Sequence, residues 1–437
     1  MNSDHSSVSS DEQQVPARWP LPVRIAFRFC VLYLGAFCLV ISQILLAYTG
    51  VLAQVIPANW LQWQLMAIQP LTRWFGRTVF DVDARFNAMS GSGDQAAFWV
   101  LIGFLLIAAV VGTVVWSVLD RRRPAYPRVA VWFSLFLRLC LGGQMLTYGF
   151  AKLIPTQMPS PSLDSLVSPF GTLTPMAVLW LQTGSSHPYE MILGSVEVLA
   201  GVLLFIPRTA TAGALLSLFS MTQVFLLNMT FDVPVKILSA HLLMISAFLL
   251  APQARRLVGV LLLGRASARE SRPGLFASRR AERIAHGLQL ALGVWVVIGC
   301  VVIGLDTWNT YGDGREKPPH YGIWNVAEFS IDGTARPPLT TDPVRWQRLI
   351  VDHPGVVTIQ RMDGSLVGAP ADVQPDHVVL EQPTTNFTVE PQGPDAIRLD
   401  GTSNGRRITM TLRRQDLDAL PLRSTGFHWV QESPNFG

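Results

Sequence analysis

The stretches Val129–Leu153 (VAVWFSLFLRLCLGGQMLTYGFAKL) and Tyr189–Ile206 (YEMILGSVEVLAGVLLFI) decide the fold. Each is long and apolar enough to cross the hydrocarbon core of a bilayer, and each holds a charge near its centre. A charge at that depth costs roughly 2.5 to 3.5 kcal/mol on insertion scales. Arg138 and Glu197 therefore point to a buried polar site within a membrane bundle, and the expectation is that acid and base on neighbouring spans neutralise each other near the midplane. A pair retained only to fix helix register is the competing reading.

Composition agrees with a membrane chain. Of 437 residues, 49% are hydrophobic and 15% charged, against about 25% charged in an average soluble domain. The formal charge of +4 is carried by arginines beside apolar segments. They read as topology signals, so no nucleic acid is expected as a partner and the lipid bilayer is.

About seven segments are long enough to span: Ile25–Tyr48, Ala97–Leu119, Val129–Leu153, Tyr189–Ile206, Ala210–Asn228, Lys236–Leu250 and Ile284–Leu305. The sixth is short and would need tilt or local thinning of the bilayer. Arg18 and Arg24 precede the first and Arg28 lies in its first turn, Arg121, Arg122 and Arg123 follow the second, and Arg208 follows the fourth. Arg255, Arg256, Arg265, Arg269, Arg272, Arg279, Arg280 and Arg283 lie between the sixth and seventh. With seven spans all these clusters fall on one side. The expectation is a multi-pass protein of the bacterial inner membrane, its N-terminus cytoplasmic and its C-terminal domain extracytoplasmic.

This divides the chain into a disordered tail (1–22), two spans with an outer loop (23–120), a four-span core (129–252), a basic inner loop (253–283), a seventh span (284–305) and a β domain (306–437). In the first outer loop, Trp60, Trp63 and Trp74 suit a helix lying in the membrane interface. The proline-rich stretch Pro155–Pro188 reads as an irregular cap over the bundle.

Past Tyr321 the period changes. Ile408, Met410 and Leu412 alternate with polar residues, as do Ile397 and Leu399, which is the pattern of half-buried strands. Asp363-Gly364 and Asn404-Gly405 favour tight hairpin turns. Tyr321–Phe436 is expected to form an all-β sandwich or barrel, with His428 and Trp429 in its core or seam. Cys30, Cys38, Cys140 and Cys300 all fall in spans and none makes a C-x-x-C, which argues against a disulfide framework and against relay chemistry of that type.

Three stretches, RLCLGGQMLTYGFAKLIPTQMP, EMILGSVEVLAGVLLFIPRTATAGALL and LLNMTFDVPVKILSAHLLMISAFLLAP, together resemble the four-span core of the DoxX family. The matching positions are Arg138, Gly149 and Lys152, then Glu197 with Gly194 and Gly201, then Asp232, Lys236 and His241. The rest is similar to a longer DoxX-like subgroup with extra N-terminal spans and a C-terminal β domain, on YGIWNVAEF, TDPVRWQRLI and GFHWVQE. Met158 stands where the resemblance leads one to expect an aromatic residue, and Thr425 where it leads one to expect arginine. The resemblance implies association with membrane redox systems, including subunits of a membrane oxidoreductase.

Spacing places Arg138 with Lys152, and Glu190 with Glu197, each pair on one helix face. A polar seam follows if those faces meet, with Gln144, Tyr148, Asn228 and His241 at comparable depth. Such a seam suits a quinone or similar small molecule. Arg138, Gln144, Tyr148, Glu197, Asn228 and His241 would hold it, and Arg138, Glu197, His241 and Lys152 are the catalytic candidates. No metal site is expected, since a lone histidine on an apolar helix is more simply a hydrogen-bonding residue than a ligand. Gly142, Gly143, Gly194 and Gly201 read as close-packing positions.

Two other classes fit the pattern. One is a non-enzymatic scaffold that presents the β domain to an extracytoplasmic protein. The other is a carboxylase-like membrane enzyme with Lys152 as base. No dinucleotide fingerprint, P-loop, zincin helix or serine elbow occurs.

Overall fold

A computed structural model describes residues 18–57, 63–264, 274–381 and 384–434. Most of the expected tail, Trp60 and the arginines Arg265, Arg269 and Arg272 lie outside these residues. Among the described residues seven helices are long and apolar enough to cross a membrane. They are Leu21–Val40, Ala96–Leu119, Pro127–Leu153, His187–Phe205, Ala210–Thr230, Lys236–Val260 and Arg279–Thr310, named below as the first to seventh spans. The chain is thus an α-helical polytopic membrane protein with a C-terminal β domain. Two compact units contain these elements: a helical unit up to Leu153 with Leu193–Ile303, and a β unit of Ile154–Ile192 with Gly304 onward.

Lipid-type exposure is plainest on the second span. Leu106, Ile107, Val110, Val111, Val114, Val115, Val118 and Leu119 are all exposed there, as expected of a helix whose outer side faces acyl chains. Two spans differ from the sequence reading. The sixth is not short, because a turn of 3₁₀ helix at Ala251–Gln253 carries it into Ala254–Leu263.

The first span, expected to run unbroken to Tyr48, stops at Val40. Ile41 is extended (φ −78°, ψ 98°), and a short helix, Ser42–Leu46, follows. Side chains of other spans satisfy the backbone freed by this break: Gln144 Nε2 donates to Gln43 O (3.0 Å) and Trp295 Nε1 to Tyr48 O (3.1 Å). Irregular backbone inside a bundle needs such partners.

In the β unit, strands β1 (Gly322–Ile331), β3 (Trp346–Val351), β4 (Val356–Arg361), β5 (Leu366–Val373), β6 (His377–Glu381), β7 (Thr384–Gly393), β8 (Ala396–Ser403) and β9 (Arg406–Arg414) pair antiparallel in chain order, and β1 also pairs β9. The sheet therefore closes into an eight-stranded barrel, which settles the choice between sandwich and barrel and leaves the eight strands no open edge. A short β2 (Thr334–Ala335) folds back on β1. The register shift between Val326 and Glu328 is a bulge that lets β1 bend between its two neighbours. Asn404 and Gly405 (φ 50° and 74°) make the expected tight turn between β8 and β9, and Gly364 (φ 87°) turns β4 into β5. Trp324, Val326, Phe329, Leu349, Phe387, Leu399 and Met410 fill the interior.

The proline-rich stretch Pro155–Pro188 groups with the β unit. It contains a helix, Pro175–Gly184, and Leu163 packs against Ile323 and Ile350 while its N–H donates to Asp352 Oδ2 (2.9 Å). His428 and Trp429 are also misplaced by the sequence reading. They lie on a tail past the barrel, with Trp429 91% exposed, because the strands end at Arg414 and nothing in the barrel covers the segment.

Candidate functional site

The third and fourth spans cross on glycine. A Cβ at Gly194 would lie 2.5 Å from Leu153 N and 2.6 Å from Gly149 O, one at Gly149 2.7 Å from Val198 N, and one at Gly201 2.8 Å from Leu146 Cγ. Only hydrogen fits at these points, so the two backbones touch. Glu197 sits three residues after Gly194 and four before Gly201, on the same face, and the crossing fixes which residue of the third span it meets.

That residue is Lys152. Its Nζ lies 2.7 Å from Glu197 Oε2, with side-chain exposures of 8% and 3%. Ser220 Oγ, from the fifth span, donates to the other carboxylate oxygen at 3.3 Å. Tyr148, one turn before Lys152, places its ring centroid 5.8 Å from the ammonium and accepts a hydrogen bond from Gln43 Nε2 at 2.6 Å. Gln144, a further turn back, is fully buried, and its Oε1 has no hydrogen-bond partner among the described residues. Gln144, Tyr148 and Lys152 thus follow at intervals of four along one face, as helical geometry requires.

The expected pairing of Arg138 with Glu197 is not formed. Arg138, only half-buried, donates through Nη2 to Gln289 Oε1 of the seventh span. The reason is register. Gly149 lies opposite Val198, and Arg138 is eleven residues before Gly149, about 16 Å along the helix axis. Judging depth from the ends of the apolar runs put two residues at one level that the glycine crossing separates. In the β unit, Glu190 accepts the Met158 N–H at 3.0 Å.

His241 and Asn228 make bonds of a structural kind. His241 Nδ1 lies 2.7 Å from Ile237 O, which accepts only from a protonated nitrogen, so Nε2 accepts from the Tyr33 hydroxyl at 2.9 Å. Its ring stacks on Phe37 with centroids 3.7 Å apart. Both nitrogens are therefore engaged, leaving no lone pair for a ligand. Asn228 Nδ2 donates to Ser239 Oγ (3.0 Å), tying the fifth span to the sixth. Among the described residues no three His, Cys, Asp or Glu side chains group as metal ligands.

Sequence reasoning missed Asp94. Its two oxygens accept the N–H groups of Lys236 (2.8 Å) and Ile237 (2.9 Å), capping the start of the sixth span from 142 residues away. Nothing local to the sixth span signals a cap supplied from so far along the chain. In the β unit, Ser160, His187 and Asp313 form a hydrogen-bonded triangle of 2.7 to 3.1 Å. It is not a nucleophile–base relay, since one nitrogen, His187 Nε2, faces both the serine and the aspartate.

Among known proteins, the Bacillus subtilis (strain 168) protein described as uncharacterized protein YwoB is 33% identical over 132 residues, covering 28% of this chain and 78% of the relative. The chain belongs to the family of that Bacillus protein. No family model matches the chain, and no solved structure matches it.

Proposed function

We propose that this chain is a DoxX-like, redox-associated membrane protein, and that the polar cluster around Lys152 and Glu197 binds a quinone or a similar oxygen-bearing small molecule and exchanges protons with it. One observation carries this reading: a lysine and a glutamate, each less than a tenth exposed, paired at 2.7 Å between two spans. Ionisable groups inside a membrane bundle are costly to keep and mark ligand or proton sites by default. Tyr148 supplies a neighbouring hydroxyl, and Gln144 Oε1 an acceptor in need of a donor. Arg138, Asn228 and His241 have other partners and drop from first place.

The test is mass spectrometry of the protein purified in its native lipid, beside the Lys152→Met/Glu197→Leu double variant. A quinone-class molecule retained by the parent and lost from the folded variant is the expected result, and equal retention by both ends the reading. Co-purifying oxidoreductase subunits are expected in the same preparation.

The orientation belongs to the same proposal. The arginine clusters support a cytoplasmic N-terminus and an extracytoplasmic barrel in a bacterial inner membrane. A reporter fused after Gly437 should be active only outside the cytoplasm, and one near Arg269 only inside.

A scaffold role is the second reading. Favouring it are two open clefts of about 890 and 470 Å3 at one end of the barrel, with Lys317 on the rim of both. Carboxylase-like chemistry has less support, because it needs a lysine free to take a proton and Lys152 is engaged by Glu197.

A further inference from the structure

The helix Trp63–Phe80 has two distinct sides. Thr72, Phe75 and Gly76 are buried, with Phe75 packed beside Ala84, Ala97 and Val100, and a Cβ on Gly76 would meet Val82 O at 2.7 Å. At 100° per residue, Trp63, Met66, Arg73, Trp74 and Arg77 fall on the opposite side. The three apolar members of that set are 62%, 56% and 59% exposed. Such a surface on a membrane-spanning chain belongs at the lipid interface, and the arginines beside it reach towards headgroups.

At the C-terminal end of this helix three arginines converge on one carboxylate. Arg73 Nε lies 2.8 Å and Arg77 Nη2 3.1 Å from Asp83 Oδ1, and Arg85 Nε lies 2.6 Å from Oδ2. Hydrogen bonds from Arg73, Arg85 and Arg77 hold the Asp83 carboxyl well below the usual carboxylate range, so it stays ionised. Arg73 and Arg85 both reach it through Nε, and their Nη groups make no hydrogen bond to protein among the described residues. Three arginines against Asp81 and Asp83 leave a net positive corner. Guanidinium groups gathered around one carboxylate keep further N–H donors free, and a guanidinium can grip a phosphodiester through two parallel bonds.

We propose that Arg73, Arg77 and Arg85 form a binding site for the headgroup phosphate of an anionic phospholipid, whose acyl chains lie along Trp63, Met66 and Trp74. Asp83 acts as the positioning residue that orders the guanidinium groups. The site is separate from the Lys152–Glu197 pair and does not depend on the role proposed for it.

The test uses the full chain in nanodiscs of mixed phosphatidylglycerol and phosphatidylcholine, with retained lipid measured by native mass spectrometry. The parent should retain phosphatidylglycerol preferentially. Arg73→Gln/Arg77→Gln should lower that preference by about fivefold for each arginine removed, while Arg73→Lys/Arg77→Lys, which keeps the charge but loses the forked donors, should fall between the parent and the glutamine variant. Arg121→Gln/Arg122→Gln, elsewhere on the chain, should leave it unchanged. The proposal is overturned if the glutamine variant keeps its preference, or if the Arg121/Arg122 variant loses as much. Competition by millimolar inorganic phosphate would show a free-anion site instead, which also overturns it.

Discussion

Lys152 and Glu197, 45 residues apart in sequence, form a buried ion pair at 2.7 Å beside a helix crossing that only glycine permits. Desolvating two charges is compensated only while both are present. The pair is therefore weak evidence of stability by itself, and removing either partner alone is expected to be costly.

Lys152→Met and Glu197→Leu should each lower thermal stability in detergent by the equivalent of about 3 to 5 kcal/mol, and the double substitution should recover much of the loss. Arg138→Leu combined with Glu197→Leu should show no recovery. If the Lys152 and Glu197 losses simply add, the pair is not the energetic unit described.

Gly194→Ala should destabilise the helical unit by about 1 to 3 kcal/mol or more, since the new methyl meets backbone on both sides and neither can yield locally. Gly287→Ala, where an added Cβ meets nothing within 4 Å, serves as the control. Equal melting temperatures for the two variants would remove the close crossing.

Asp94→Ala should cost about 1 to 2 kcal/mol, as loss of a helix cap does, and should speed hydrogen exchange at the Lys236 and Ile237 amides in particular. Asp94→Asn retains an acceptor and should fall between. Uniformly faster exchange along the whole sixth span would argue against a local cap.

Asp342 sets an acid limit for the barrel. The N–H groups of Arg345 and Val344, with the Arg336 guanidinium, pull its carboxyl down to about 2. A depressed folded-state value means that the stabilisation is complete above the unfolded value of about 3.9 and is lost as pH falls towards 2. Circular dichroism of Asp342→Asn should show a reduced loss of stability between about pH 4 and pH 2 relative to its own neutral-pH value. An unchanged acid profile would mean that other carboxylates control the transition.

The sequence by itself determined the elements. Span length follows from apolar run length, so the helices fell close to where the hydropathy put them, and the β region followed from period-two alternation with turns that need positive φ at Asn404, Gly405 and Gly364. Lys152, Glu197, Gly149 and Gly194 were all legible as candidates because an ionisable residue among apolar ones, or glycine in a span, stands out locally. What the tertiary structure decided was who meets whom. Pairing Glu197 with Lys152 rather than Arg138, closing β1 onto β9, bonding His241 at both nitrogens and capping the sixth span with Asp94 each depend on contacts between residues far apart in the chain. Helical periodicity fixes the direction in which a side chain points but not the height at which its neighbour stands. That height is set by the glycine crossing, where two backbones come close enough to lock the register.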